Sequence, residues 1–97
     1  MDQKIIDVFK SYDISELEIK DIKNIAPMIE VLSSEEFNKN CLLLTNYGYP
    51  KSDLDFLFLA NPNIFVRSAK DLEYDLQNLK AKYSDIEIIL KQDPLII

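Results

Sequence analysis

The fold is easiest to read from residues 53–62, DLDFLFLANP. An acidic residue opens this segment, leucines follow at positions 54 and 57, and Pro62 closes it. Apolar residues spaced three or four apart lie on one face of a helix. Proline stops a helix because it lacks an N–H group and restricts the residue before it. The segment therefore predicts an amphipathic α-helix that ends just before Pro62.

The same pattern occurs twice more, as EIKDIKNIAP at residues 18–27 and DIEIILKQDP at residues 85–94. The three closing prolines, Pro27, Pro62 and Pro94, are spaced by 35 and 32 residues. A fixed period of this length is typical of helical repeats. The register extends upstream, where three apolar pairs correspond: Ile6 and Phe9, Cys41 and Leu44, Leu76 and Leu79. The sequence therefore predicts one domain of three units, residues 1–32, 33–67 and 68–97.

Each unit is predicted to contain two helices. In the second unit, Ser33 and Glu36 have the spacing of a capping box, which predicts a helix from about residue 35 to 46. Gly48 follows as a C-terminal cap that adopts positive φ. A second helix is predicted from about residue 51 to 60, with Pro50 in its first turn. In the third unit, Ser68 is predicted to cap the first helix, and a capping box of Ser84 and Glu87 to open the second.

A single helix pair cannot bury its apolar stripe, whereas stacked pairs share a continuous core. We therefore expect an all-α fold, a short right- or left-handed solenoid of about three helix-pair repeats. Tight 3₁₀ turns are expected after Pro27 and Pro62. The alternative is a compact six-helix bundle in which the apparent repeats are incidental.

Composition limits the functions open to the chain. Hydrophobic residues make up 47% and charged residues 29% of its 97 residues, a globular balance rather than a disordered one. The net charge is −6, with a single arginine, which disfavours nucleic acid as a partner. The absence of histidine excludes Ser-His and Cys-His catalytic pairs, and one glycine cannot form a phosphate loop. We expect no enzymatic activity, no metal and no cofactor, and a buried thiol at Cys41.

The segment at residues 46–65, NYGYPKSDLDFLFLANPNIF, resembles the repeat of the mitochondrial transcription termination factor (mTERF) family. Residues 68–97 resemble a further repeat, and residues 1–32 a degenerate one. The resemblance implies triangular units of two α-helices and one 3₁₀ helix, arranged with a concave face. In that family the face is basic and binds nucleic acid, and members have more repeats, so this acidic chain departs from the pattern.

Two groups of residues are candidate contact sites. The densest basic group lies in and around the last unit and could contact phosphates: Arg67, Lys70, Lys80, Lys82 and Lys91. Its alternative interpretation is pairing at i,i+4 spacing with neighbouring carboxylates. The apolar tail is a candidate surface for self-association or a partner: Leu95, Ile96 and Ile97. Its alternative is folding back on the last helix. Four tyrosines are candidates for exposed contact positions: Tyr47, Tyr49, Tyr74 and Tyr83.

The sequence therefore predicts a non-enzymatic helical-repeat module that binds another protein, with a homodimer as one form of that interaction. The alternative is a small mTERF-like nucleic-acid-binding protein. No apolar run approaches the length of about 20 residues that spans a bilayer. The N-terminus lacks the apolar segment of a signal peptide. We therefore expect a cytoplasmic protein without a membrane step.

Overall fold

Prolines set the helix ends in the structure, a computed structural model that describes all 97 residues. The residue before each repeat proline has nearly the same backbone conformation, with φ between −125° and −150° and ψ between 73° and 80°. Its N–H donates the last hydrogen bond of the preceding helix, to the carbonyl oxygen four residues earlier, at 2.8 or 2.9 Å. The chain then leaves the α region. There are six α-helices and no strand: α1 Gln3–Ser11, α2 Glu16–Ile25, α3 Ser34–Asn46, α4 Leu54–Ala60, α5 Ala69–Lys82 and α6 Ile86–Gln92.

The all-α prediction is confirmed, and so are the 3₁₀ turns after the first two repeat prolines. These turns span Pro27–Glu30 and Pro62–Val66. A third one, Lys51–Asp53, replaces the first turn of the long helix predicted before Pro62. The winding of three helix pairs into a solenoid stays a prediction.

Serine caps define two of the helix starts, as predicted. The hydroxyls of Ser33 and Ser68 accept hydrogen bonds from the N–H groups three residues on, at 3.1 and 3.2 Å. The predicted cap at Ser84 is wrong, because Asp85 caps α6 by accepting from the N–H of Ile88 at 3.1 Å. Asp and Ser are equally good caps, so the two neighbouring residues could not be told apart from their types.

One hydrophobic cluster of 20 buried residues runs through the chain. Four phenylalanines form its centre, with ring centroids 4.7 to 5.8 Å apart: Phe9, Phe37, Phe58 and Phe65. They come from α1, α3, α4 and the 3₁₀ turn Pro62–Val66, so aromatic packing fixes these elements against one another. Towards the C-terminus the core continues with aliphatic side chains from α5 and α6: Leu72, Leu76, Leu79, Ile86 and Leu90.

The helices pack in two rows. Helix α3 lies between α1 and α5, and α2 packs beside α4. The molecule measures 35 × 23 × 20 Å along its principal axes. The longest helix, α5, has 14 residues, and none of the helices combines the length and the apolar character needed to cross a membrane.

Candidate interaction surfaces

The apolar tail folds against helix α5. Ile96 and Ile97 are half-buried on the hydrophobic core, and Leu95 is 71% exposed. With Leu79 and Tyr83, the two isoleucines line an open cavity of about 390 Å³. Part of the predicted contact surface is therefore folded back on the chain, whereas Leu95 stays uncovered.

A second cavity, of about 430 Å³, adjoins the first one. Lys82 and Tyr83 line both cavities, and Ile88 and Ile89 of α6 complete the apolar part of the second. Ile88 is 54% exposed, an unusual position for a large aliphatic side chain. We give the name end surface to four residues that line these cavities and to the exposed Leu95 that precedes Ile96 in the chain: Tyr83, Ile88, Leu95, Ile96 and Ile97.

A buried asparagine holds the tail in position. The amide of Asn61, 6% exposed, donates a hydrogen bond to the carbonyl of Pro94 at 2.9 Å. The tail turn is closed by a bond of 3.1 Å from the N–H of Ile96 to the carbonyl of Asp93. The end surface is therefore anchored by hydrogen bonds rather than formed by a loose terminus. In the sequence, the Asn-Pro pair at residues 61–62 marks only the end of the preceding helix, and not the contact of Asn61 with the tail.

Two of the five candidate cations are held by carboxylates. Arg67 pairs with Asp75, eight residues along the chain. Lys91 lies between Asp53 at 2.6 Å and Glu87 at 2.7 Å. Only the contact with Glu87 has the i,i+4 spacing that the alternative interpretation expected. These two side chains are already engaged, which leaves Lys70, Lys80 and Lys82 without a carboxylate partner.

The three unpaired lysines do not share one face of α5. Consecutive helical residues are rotated by about 100°, which places Lys80 and Lys82 on nearly opposite sides of the helix. Lys70 lies about 15 Å from Lys80 along the axis, at 1.5 Å per residue. The ammonium group of Lys82 instead lies 5.4 Å from the ring centre of Tyr83. The structure therefore does not bring the candidate phosphate contacts together.

The four candidate tyrosines differ in exposure. Tyr47 and Tyr83 are half-buried. Tyr74 is 65% exposed on α5. Tyr49 is fully buried, so its prediction as an exposed contact residue is wrong. Its hydroxyl donates to the carbonyl of Asp53 at 3.0 Å, and burial raises its pKa to about 12. After the turn at Gly48, which has a φ of 108°, the Tyr49 side chain lies in the core. The sequence of a short loop does not show on which side of the chain such a residue lies.

The sequence did not predict a second apolar surface, between α2 and α4. Ile25 and Leu59 are about half exposed there and line an open cavity of about 370 Å³ together with Glu18 and Asp21. We name this cavity the α2–α4 groove. One feature of the sequence indicates this groove: Leu59 is apolar but does not lie on the helix face that carries Leu54 and Leu57.

The remaining chemically active groups have structural roles. Asp53 binds Lys91, Asp85 caps a helix, and no three His, Cys, Asp or Glu residues lie close enough to hold a metal ion. Cys41 is partly buried and packs against the hydrophobic core, and desolvation raises its pKa to about 12. A thiol with such a pKa is a poor nucleophile at neutral pH.

Comparison with protein-family models, with curated proteins and with solved structures gave no significant match. The resemblance to the mTERF repeat therefore stays a prediction from the sequence.

Proposed function

We propose that this chain is a non-enzymatic helical-repeat module that binds another protein in the cytoplasm. The observation that carries the proposal is the end surface, where Ile88 and Leu95 are more than half exposed and Ile96 and Ile97 are half-buried. Exposed apolar area of this kind is typical of an interaction surface. In a stack of helix pairs, the last pair would leave such a surface where a further element could pack.

The repeat component of the proposal is supported by two helix ends in the same register. Asp13 and Gly48, 35 residues apart, are the two residues with positive φ, at 60° and 108°. Each is followed by a residue whose N–H reaches the fifth carbonyl before it. These bonds join Ile14 to Phe9 at 3.1 Å and Tyr49 to Leu44 at 3.0 Å. This is the bond of a Schellman motif, and its recurrence supports equivalent units at residues 1–32 and 33–67.

The non-enzymatic component is supported by the titratable groups. Each group with a shifted pKa has a local structural cause. The pKa values of Asp2, Glu30 and Asp53 are lowered by hydrogen bonds. Those of Cys41 and Tyr49 are raised by burial. An active site would be expected to combine shifted groups in one cavity. Tyr49, Asp53 and Lys91 do lie together, but the ion pair of Lys91 with Asp53 and the burial of Tyr49 account for their shifts. None of the three lines a cavity described above.

The test compares which proteins bind to the wild-type chain and to variants of the end surface. Ile88→Glu and Leu95→Glu place a charge on exposed positions, so the fold should tolerate them. Val31→Glu is the matched control, because Val31 is 77% exposed but belongs to the N-terminal unit. Affinity capture with quantitative mass spectrometry should show proteins that the control retains and both variants lose. Equal retention by all four chains would refute binding through the end surface.

A second copy of the chain is one candidate for the partner. Sedimentation velocity over a concentration series should then show a dimer that Ile88→Glu and Leu95→Glu dissociate. A strict monomer at the highest concentration removes the homodimer and leaves a different protein as the partner.

The alternative function is mTERF-like binding of nucleic acid. The observation in its favour is the three unpaired lysines of α5: Lys70, Lys80 and Lys82. We favour a protein partner because these lysines are dispersed and the net charge is −6. A mobility shift that weakens steeply with salt, and that lysine-to-glutamine changes abolish, would favour the alternative instead.

A further inference from the structure

A lysine bridges the α4 and α6 helices. Lys91 of α6 contacts Asp53, at the start of α4, and Glu87, one turn earlier on its own helix. The bridge therefore needs three positions: an acid at the start of one helix, and an acid and a cation four residues apart on the next. The same three positions can be compared in the neighbouring helices α2 and α4.

The α2 and α4 helices have the same two acidic positions but lack the cation. Glu18 lines the α2–α4 groove, and Asp55 lies one helical turn before Leu59, outside the lining of the cavity. In the repeat register, Glu18 corresponds to Asp53, Asp55 to Glu87, and Leu59 to Lys91. Leu59 and Glu18 line the same cavity, whereas the lysine and the first acid of the bridged pair form an ion pair at 2.6 Å. A leucine therefore occupies the position from which a lysine would join the two carboxylates.

The chain supplies no other cation to this groove. No Lys or Arg lines it, and neither Glu18 nor Asp55 takes part in an ion pair. On α2, Lys20 and Lys23 lie on the side turned away from Ile25, as the helical rotation requires. Lys23 pairs there with Glu30 at 3.4 Å. The groove is therefore apolar in its centre and negative at its edges.

We propose that the α2–α4 groove binds a basic amphipathic helix of a protein partner. A Lys or Arg of that helix takes the place between Glu18 and Asp55, and its aliphatic residues pack on Ile25 and Leu59. The inference rests on the proposed protein-binding function and adds the chemistry of the partner. Helix recognition by an apolar groove with complementary charge is a common mode of protein binding.

The probe is a 15-residue helical peptide of leucine, lysine and alanine with one apolar face. A second peptide has glutamate at every lysine position, and a third has glutamine. Each is titrated into the ¹⁵N-labelled full chain at 150 mM salt, and amide shifts are followed by NMR. We expect binding of the lysine peptide alone, with the largest shifts at Ile25 and Leu59.

Two sets of variants test the groove residues. Leu59→Lys supplies the missing cation from within the chain and should raise the dissociation constant by about tenfold or more. Leu42→Lys is its control, because Leu42 is 60% exposed on α3 and the net charge is the same. The control should change the constant by less than about twofold.

The second set removes the carboxylates. Glu18→Gln with Asp55→Asn keeps the capping box of Ser15, since glutamine also fits that position. It should weaken the lysine peptide by about tenfold or more. Glu35→Gln with Glu73→Gln removes the same charge from α3 and α5 and should have less than about a twofold effect.

Three results would overturn the inference. These are equal effects of the groove and control variants, equal binding of the three peptides, and the absence of binding. Shifts centred on Tyr83 and Ile96 would also overturn it, while supporting protein binding through the end surface. The capture experiment with Ile88→Glu and Leu95→Glu tests the proposed function separately, because neither residue lines the groove.

Discussion

Asn40 is expected to be the most sensitive polar residue in the chain. Its side chain is fully buried on α3, and its amide donates two hydrogen bonds, to the carbonyls of Phe65 at 2.9 Å and Arg67 at 2.8 Å. These bonds hold the end of the 3₁₀ turn Pro62–Val66 against α3, just before α5 begins. Asn40→Ala removes both donors at once.

The expected loss follows from the groups that the change leaves without a partner. A buried acceptor deprived of its hydrogen bond costs about 1–3 kcal/mol. The bond to the Phe65 carbonyl is buried, and the bond to the Arg67 carbonyl is only partly buried. Losing both therefore costs about 2–4 kcal/mol, part of which is offset because the Oδ1 atom of Asn40 has no partner in the native chain. We expect a decrease of about 3 kcal/mol in the free energy of unfolding. For a domain of this size that lowers Tm by roughly 12–24 °C.

The assay is urea unfolding followed by circular dichroism, with Asn38→Ala as the control on the same helix. Asn38 is exposed, so its change should alter the unfolding free energy by less than about 0.5 kcal/mol. A loss below about 1 kcal/mol for Asn40→Ala would refute the reasoning, because even one unpaired carbonyl should cost that much.

Three further predictions concern the core, pH and the thiol. Phe58→Ala should lower the free energy of unfolding by about 3–5 kcal/mol. Phe56→Ala, at a 39% exposed position, should lower it by less than about 1.5 kcal/mol. Equal losses for the two variants in urea melts would contradict the aromatic core. The Lys91 contact lowers the pKa of Asp53 below its ordinary value of 3.8, so its contribution is present above that value and is lost as the pH falls further. Urea melts from pH 7 to pH 2 should therefore show a smaller decrease for Asp53→Asn than for the wild type, and parallel curves would exclude this contribution. Cys41 should react with a disulfide reagent at pH 8 far more slowly in the native chain than in urea, because burial raises its pKa to about 12; equal rates would show a thiolate that is accessible in the folded state.

The helix ends and the apolar faces could be predicted from the sequence because their causes are local. A proline lacks the N–H group that would continue a helix, and it restricts the residue before it wherever it occurs. The hydroxyls of Ser33 and Ser68 cap the helices that begin directly after them. The apolar spacing around Pro27 and Pro62 therefore gave the all-α class and the 3₁₀ turns.

Candidate surfaces could not be predicted in the same way, since they depend on which helices become neighbours. Lys91 was a candidate phosphate contact by sequence, but α6 lies beside α4, and Asp53 holds it. Tyr49 was a candidate contact residue, but the Gly48 turn places it in the core. Leu59 gained its place in a groove only because α2 packs along α4.

The sequence by itself determined where each helix stops and which of its sides is apolar, through interactions within a few residues. Only the tertiary structure decided which charges are neutralised and which apolar side chains stay exposed. Ion pairing and burial join residues that are distant in the chain, such as Asp53 and Lys91, or Asn61 and Pro94. Those contacts are fixed by packing of the whole molecule around its four buried phenylalanines, and no local pattern specifies them.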